Sequence, residues 1–225
     1  MSQISENLKA VRTKIEKAAQ QWKRDPQDIN LVAVSKKQPD ERIDVMLEAG
    51  QRVYGENRVQ EAYTRWEGRR DQYPDLVLHL IGPLQTNKVK EAVSLFDVIE
   101  IVDRPKLVKA LGKECKKQNK FPQFFIQVNV GDEDQKAGVA IDELPDLLQL
   151  CHDESLTISG LMCIPPFDDP PAPYFALLNK LAAQHDLKEL SMGMSGDFEK
   201  AIPLGATYVR VGTALFGLRP SPSGA

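Results

Sequence analysis

The chain is 225 residues long with a formal net charge of -3, so it has no general electrostatic attraction to nucleic acid or membranes. No apolar run approaches the roughly 20 residues that span a bilayer, and the polar N-terminus lacks the apolar core of a signal peptide. Three distant cysteines, three scattered histidines and no C-x-x-C motif predict neither disulfides nor a zinc site. We expect a soluble cytoplasmic protein.

Residues 1–24 are predicted to form an amphipathic helix. Apolar residues recur there at steps of three and four, namely Ile4, Leu8, Val11, Ile15, Ala19 and Trp22. Ser2 or Ser5 is suited to cap the helix N-terminus. Such a stripe can bind a partner helix or pack on the rest of the domain, and we expect the packing role.

After this helix, short apolar strands alternate with segments of helical period. The strands are predicted at 31–34, 52–54, 77–81, 98–102, 124–130, 157–162, 189–192 and 208–211, and helices at 41–48, 59–69, 88–95, 106–117, 144–151 and 174–184. This alternation predicts a parallel sheet, and eight strands close a (β/α)8 barrel. An open doubly wound sheet would favour a G-x-G-x-x-G motif, which residues 35–39 lack. We predict the α/β class, with residues 1–225 forming a single (β/α)8 TIM barrel with an extra N-terminal helix.

The one irregular insert covers residues 164–173 and contains five prolines in ten residues. This density excludes helix and strand over the segment. The insert is predicted to be a stiff loop, either a lid over a site or a spacer.

A lysine follows the first predicted strand. Active sites of parallel barrels collect where the strands end, and Lys36 lies at that place. A lysine in a half-buried pocket has a lowered pKa and can act as an amine nucleophile. The alternative is a solvated lysine that opens a loop. Lys37 should alternate to the other side and lie on the surface.

The ends of the last two predicted strands suggest a phosphate site. In (β/α)8 barrels the loops after strands seven and eight often bind phosphate, with help from helix N-termini. Ser195 and Thr213 offer hydroxyl groups and Gly212 allows close backbone approach, while Asp197 should point away as a helix cap. The alternative is that these residues only shape turns.

A lysine facing a phosphate site suits pyridoxal 5′-phosphate (PLP), whose aldehyde forms a lysine Schiff base. The same arrangement equally suits a lysine-dependent aldolase acting on a sugar phosphate.

Five blocks of the sequence, at 32–36, 55–61, 79–88, 191–197 and 209–217, resemble the pyridoxal-phosphate homeostasis protein family (YggS/PROSC). They occur in the family's order and span nearly the whole chain. The resemblance implies a single-domain barrel of the fold-type III PLP class, like the N-terminal domain of alanine racemase. It further implies a protein that binds PLP covalently and buffers or delivers it, without established catalytic turnover.

The resemblance also implies residue roles. Lys36 matches the Schiff-base lysine, Ser195, Gly212 and Thr213 would hold the phosphate, and Arg210 would face the pyridine nitrogen. Because a guanidinium only donates hydrogen bonds, the ring nitrogen would stay unprotonated and the cofactor would be a weaker electron sink. That property suits a carrier better than a transaminase.

Five more residues are candidates with open alternatives. Asn57 could line the ring edge or form a turn, and His79 could be a pocket group or a core histidine. Asn129 could point at the cofactor or satisfy backbone groups, and Met162 could pack under the ring or in the core. Lys136 resembles the position where racemases place an arginine near the phenolic oxygen.

In racemases a second domain gives the opposing base. We expect no counterpart of it in this protein, so only Lys36 is clearly available for acid–base chemistry. Together with the family resemblance, which implies a role in vitamin B6 homeostasis and an influence on amino-acid and keto-acid balance, this leads us to expect a non-catalytic, monomeric PLP-binding protein. PLP is its ligand and PLP-dependent apo-enzymes are candidate recipients. The alternatives are a racemase-like or decarboxylase-like PLP enzyme, a cofactor-free aldolase, and a regulatory module whose PLP reports cofactor status.

Overall fold

Eight parallel strands close a barrel in sequence order, with the last strand paired to the first. The computed structural model describes residues 2–133 and 135–217. The strands are β1 Asn30–Val34, β2 Val53–Glu56, β3 Val77–Leu80, β4 Val98–Val102, β5 Gln123–Gln127, β6 Ile158–Met162, β7 Glu189–Met194 and β8 Tyr208–Val211. The helices are α1 Gln3–Gln21, α2 Asp40–Glu48, α3 Val59–Arg70, α4 Val89–Leu95, α5 Pro105–Gln118, α6 Leu144–Asp153, α7 Ala172–Gln184, α8 Phe198–Ala201 and α9 Thr213–Phe216. The predicted (β/α)8 barrel with an extra N-terminal helix is confirmed. The domain predicted over 1–225 also includes Met1, Asp134 and 218–225, which lie outside the described residues.

Helix α1 packs on the barrel through the predicted stripe. Its N-cap is Ser2, whose hydroxyl accepts a hydrogen bond from the Ser5 N–H, and the Asn7 side chain donates to the Leu215 carbonyl of α9. The prediction for Trp22 is wrong, because the helix ends one residue earlier and this side chain is 59% exposed. The buried residues of the helix are Leu8, Val11, Ile15, Ala18 and Ala19.

No helix within residues 2–133 and 135–217 is both long and apolar enough to cross a membrane.

Several element boundaries differ from the predicted ones. Strand β2 runs on to Glu56 and β7 to Met194, whereas β5 ends at Gln127 and not at residue 130. The exclusion of helix from 164–173 is wrong at its end, since α7 begins at Ala172 with Pro173 in its first turn. A proline is tolerated there because first-turn N–H groups have no partner within the helix.

Closure of the barrel decides which loops become neighbours. In the β1–β8 pairing Val32 is opposite Arg210 and Ala33 is opposite Val211, and Arg210 is also opposite Met194 of β7. Because all strands are parallel, the segments after β1, β2, β7 and β8 emerge on one rim. The candidate residues of both chain halves are therefore brought to the same end of the barrel.

Two glycines differ in the space that a side chain would have, one in the barrel wall and one on an outer helix. A Cβ atom at Gly160 in β6 would lie 2.0 Å from the Glu189 carbonyl oxygen of β7, whereas one at Gly68 in α3 would meet nothing within 4 Å. We expect Gly160→Ala to lower the free energy of unfolding by about 1–3 kcal/mol. We expect Gly68→Ala to raise it by about 0.5–1 kcal/mol, since alanine favours the helix. Urea unfolding of both variants checks this, and equal midpoints would contradict the close approach of β6 and β7.

Candidate functional site

A cavity of about 450 Å³ opens at the carboxyl rim of the barrel. Its volume lies within the roughly 300–1,000 Å³ usual for small-molecule sites. Six of the nine predicted site residues line it, namely Lys36, Asn57, Ser195, Arg210, Gly212 and Thr213. Its other lining residues are Val34, Gln38, Ile81, Ile164, Phe167, Met194 and Gly196. The structure thus joins residues from both ends of the chain in one small-molecule-sized cavity.

Lys36 lies in a tight turn directly after β1. The Gln38 N–H donates to the Ser35 carbonyl at 3.1 Å and closes the turn. Lys37 adopts a left-handed conformation with φ of 58°, which costs a non-glycine residue on the order of 1–3 kcal/mol. Lys36 is partly buried and lines the cavity, whereas Lys37 is exposed, as predicted, although both also line a neighbouring pocket of about 230 Å³.

Two backbone N–H groups converge on one oxygen at the opposite wall. The Ser195 hydroxyl accepts hydrogen bonds from the Gly212 N–H at 3.1 Å and from the Ala214 N–H at 3.4 Å. A Cβ atom at Gly196 would meet nothing within 4 Å, so this wall also has open space. Since α8 and α9 have four residues each, individual N–H and hydroxyl groups supply the polarity here. The arrangement suits the oxygens of an anion.

Asp197 does not line this cavity, in agreement with the expectation that it points away from an anion. Its role as a side-chain cap of α8 is wrong, however, since it makes no side-chain capping hydrogen bond. The carboxylate accepts instead from the Met194 N–H and so closes the turn that carries Ser195.

A buried polar network holds Arg210 in place. Its guanidinium donates to the Ser191 hydroxyl at 2.7 Å and to the Cys163 carbonyl at 2.8 Å. Ser191 in turn donates to the Glu100 carboxylate at 2.5 Å, and the other Glu100 oxygen lies 2.6 Å from His79 Nδ1. These side chains lie inside the barrel, and their hydrogen bonds hold the Arg210 guanidinium in one orientation at the cavity.

The network sets the charge of the barrel interior. Burial raises the pKa of Glu100, but the hydrogen bond and charge of His79, the Arg210 charge and the Ser191 hydrogen bond together hold that pKa below its ordinary value of 4.5. Glu100 is therefore the buried anion that balances Arg210. Burial raises the pKa of the Cys163 thiol to about 12, so this thiol stays protonated and is no nucleophile.

Three predicted site residues do not line the cavity. His79 is buried inside β3 and paired with Glu100. Asn129 is occupied by hydrogen bonds with the backbone of Glu133. Met162 is fully buried at the end of β6, in agreement with the alternative that it packs in the core. Of these three, only His79 is connected to a cavity residue, because Glu100 and Ser191 link it to Arg210.

Lys136 is also absent from the cavity lining. Its amine lies 2.5 Å from a Glu133 carboxylate oxygen and donates to the Pro165 carbonyl at 3.3 Å. A Cβ atom at Gly131 would lie 2.6 Å from the Pro166 ring. These contacts brace the start of the proline-rich insert, while Phe167 further along is 96% exposed at the cavity mouth.

Asn57 presents an unsatisfied polar atom. Its Oδ1 is buried and accepts no hydrogen bond from any described residue. A Cβ atom at Gly82 would lie 2.4 Å from the Asn57 carbonyl oxygen, so the backbone of Asn57 is tightly packed in place. A buried acceptor without a partner is costly, and a hydrogen-bond donor on a ligand would satisfy it.

Sequence reasoning missed four residues that support the cavity. Glu100 and Ser191 hold Arg210, and Glu56 and Arg65 lie behind the Lys36 turn. Glu100 had a signal, since it is the single charged residue in an otherwise apolar strand and lone charges there are seldom left unpaired. The sequence carried no such signal for Arg65, because arginines are common on the exposed faces of amphipathic helices.

The chain is similar to proteins of one family over nearly its whole length. The family model described as alanine racemase, N-terminal domain, matches residues 1–220. A pyridoxal phosphate homeostasis protein of Aquifex aeolicus is 40% identical over 224 residues, which cover 95% of this chain and 97% of that protein. PipY of Synechococcus elongatus, in a structure with PLP bound, aligns with a TM-score of 0.82 at 37% identity and covers 96% of this chain and 100% of that one. An alanine racemase of Clostridium difficile shares the fold at 13% identity, with a TM-score of 0.70 over 98% of this chain and 59% of that one.

Replacing Glu100 should change how stability depends on pH. Glu100→Gln leaves Arg210 without its buried counter-charge, so we expect a loss of about 3 kcal/mol in the free energy of unfolding at pH 7. Because the folded pKa of Glu100 is lowered, its contribution is present above about pH 4.5 and is lost as the pH falls further. The difference between wild type and variant should therefore shrink below that pH. Urea unfolding between pH 7 and pH 3.5 measures it, with the exposed Glu67→Gln as control; a difference that does not vary with pH would contradict the assignment.

Proposed function

Because this chain belongs to the alanine racemase N-terminal domain family and, within it, to the pyridoxal phosphate homeostasis proteins, we propose that it binds PLP in the rim cavity and serves PLP homeostasis. The observation that carries the proposal is that Lys36 and Arg210 line the same small cavity as Ser195, Gly212 and Thr213. The related PipY has PLP bound in one of its structures.

The lining residues fit PLP group by group. PLP supplies an aldehyde that condenses with an amine, and Lys36 offers that amine at the rim. The N–H groups of Gly212 and Ala214, which already meet on the Ser195 oxygen, would hold phosphate oxygens together with Thr213. Arg210 is a donor that suits an unprotonated ring nitrogen. The unpartnered Asn57 Oδ1 suits a donor on the ligand.

The cavity supports a carrier in preference to a racemase. Among the described residues that line it, Lys36 and Arg210 alone have titratable side chains, and a guanidinium does not deprotonate in proteins. Racemisation needs an acid–base group on each face of the substrate, whereas only Lys36 is suited to exchange a proton here. The protein in this proposal holds the cofactor without turning over an amino acid.

The mouth of the cavity is consistent with transfer of the cofactor. Ile164, Phe167 and Met194 surround it and are 38%, 96% and 39% exposed. Apolar side chains exposed together mark a surface that contacts other molecules, and PLP-dependent apo-enzymes are the recipients in this proposal. In this proposal the protein acts as a cytoplasmic monomer.

The proposal requires PLP to be attached to Lys36. The purified protein loaded with PLP should be yellow, and borohydride should bleach its visible band because it reduces the Schiff base. Lys36→Ala should abolish the band. Lys37→Ala is the matched control and should keep it, because this neighbouring side chain is exposed. A visible spectrum decides the question: a colourless wild type would favour the aldolase alternative, and a band unchanged in Lys36→Ala would refute the assignment of this lysine.

The phosphate should contribute to affinity through Ser195. Hydrogen bonds to charged groups contribute about 1.5–3 kcal/mol, so Ser195→Ala should weaken PLP binding by roughly ten- to a hundred-fold. The affinity for pyridoxal, which lacks the phosphate, should stay the same. Equilibrium titration with both ligands measures the ratio, and the exposed Ser94→Ala on α4 is the control. An equal loss for both ligands would place Ser195 away from the phosphate.

A further inference from the structure

Every polar group of Ser35, the residue before Lys36, makes a hydrogen bond. The Ser35 N–H donates to the Gly55 carbonyl at 3.1 Å, and its hydroxyl donates to Glu56 Oε1 at 2.7 Å. Its carbonyl accepts from the Gln38 N–H and from Arg65 Nη1, each at 3.1 Å. Ser35 therefore has little freedom to rotate, and neither has the start of the Lys36 turn.

One arginine spans both ends of this turn. Arg65 extends from α3, and its Nη1 donates to the Ser35 carbonyl while its Nη2 donates to the Gln38 carbonyl at 2.9 Å. Its Nε pairs with Asp40 at the start of α2. The side chain is 14% exposed. The planar fork of a guanidinium matches two separate acceptors in a way that a lysine ammonium does not.

A buried carboxylate completes the clamp. Glu56 Oε1 accepts from the Ser35 hydroxyl, from Arg65 Nη1 at 2.9 Å and from Trp66 Nε1 at 3.0 Å. Glu56 is fully buried, so its charge is balanced by Arg65. The end of β2 and the middle of α3 thereby fix the segment that follows β1.

This clamp surrounds a turn that is unfavourable by itself. Lys37 occupies a left-handed conformation that side-chain-bearing residues rarely adopt. Such a conformation persists where the surrounding contacts over-determine it. Its effect here is to direct Lys36 to the cavity and Lys37 to solvent, so a relaxed turn would change the direction of the Lys36 side chain.

We propose that Arg65 and Glu56 are positioning residues for Lys36, holding its turn so that the amine meets an aldehyde carbon in the cavity. This inference rests on the proposed function. The Lys36 ammonium first releases a proton to solvent, and its nitrogen lone pair then attacks the aldehyde carbon. The C=N bond forms as the carbonyl oxygen leaves as water with the two hydrogens of the neutral amine, with no net oxidation or reduction. Neither Arg65 nor Glu56 lines the cavity, so both act through the turn.

The test separates capture of the aldehyde from binding of the rest of the ligand. Pyridoxine 5′-phosphate carries the ring and phosphate of PLP with an alcohol in place of the aldehyde. In Arg65→Met and Glu56→Gln, the rate of Schiff-base formation with PLP, followed by visible absorbance, should fall by about ten- to a hundred-fold. The affinity for pyridoxine 5′-phosphate should change by less than about two-fold, because uniform binding is retained.

Two further variants sharpen the comparison. Arg69→Met is the matched control, since Arg69 lies one turn along α3 at similar burial but pairs with Asp44 at 2.9 Å and is only 3.8 Å from Asp40. It donates to neither Ser35 nor Gln38, so this variant should capture PLP at the wild-type rate. Arg65→Lys keeps the charge and loses the fork, so its rate should lie between wild type and Arg65→Met. Glu56→Gln and Arg65→Lys decide the matter if Arg65→Met does not fold.

A measurement without PLP tests the clamp directly. Hydrogen–deuterium exchange of residues 35–38 should accelerate about ten-fold in Arg65→Met and stay unchanged in Arg69→Met. Three results would overturn the inference. The first is an unchanged exchange rate in Arg65→Met, and the second is a wild-type rate of aldehyde capture in the Arg65 and Glu56 variants. The third is an equal loss of affinity for PLP and for pyridoxine 5′-phosphate. If the wild type itself captures no aldehyde, the proposed function fails, and the exchange result still shows whether the clamp holds the turn.

Discussion

The pairing of the first strand with the last is the constraint on which the rest of this structure depends. Four registered pairs between β1 and β8 close the barrel and leave none of the eight described strands with an unpaired edge. The same pairing sets Gly212 against Val34, since a Cβ atom at Gly212 would lie 3.4 Å from the Val34 side chain. Without this closure, Lys36 and the Ser195–Gly212 wall would belong to distant surfaces.

Two buried polar networks hold the charged residues of the cavity in place once the barrel is closed. One supports Arg210 through Ser191, Glu100 and His79, and the other supports the Lys36 turn, as described above. Buried ion pairs contribute little net stability because their desolvation is costly, but removing one partner is strongly destabilising. Their consequence here is geometric: the charged groups of the cavity are held by partners that fix their direction.

A shared fold does not settle what the rim does. The chain shares its barrel with an alanine racemase at only 13% identity, and the same barrel supports different chemistry as its rim residues change. In this protein the rim combines one amine, one arginine, convergent N–H groups and an exposed apolar mouth. This combination is the basis of the proposal that the protein holds and passes on a phosphorylated aldehyde without proton transfer on both faces of a substrate.

The sequence by itself determined the barrel, its family and six cavity residues, because apolar periodicity and short motifs are local properties of the chain. It began β2 one residue early and ended it two residues early, and it began α7 two residues late, since strand and helix ends depend on contacts with neighbours. Only the tertiary structure decided that His79, Asn129 and Met162 do not line the cavity and that Glu100 and Arg65 support it. The reason is physical: Glu100 meets Ser191 across 91 positions and Arg65 meets Ser35 across 30, and such pairings exist only once the barrel has closed.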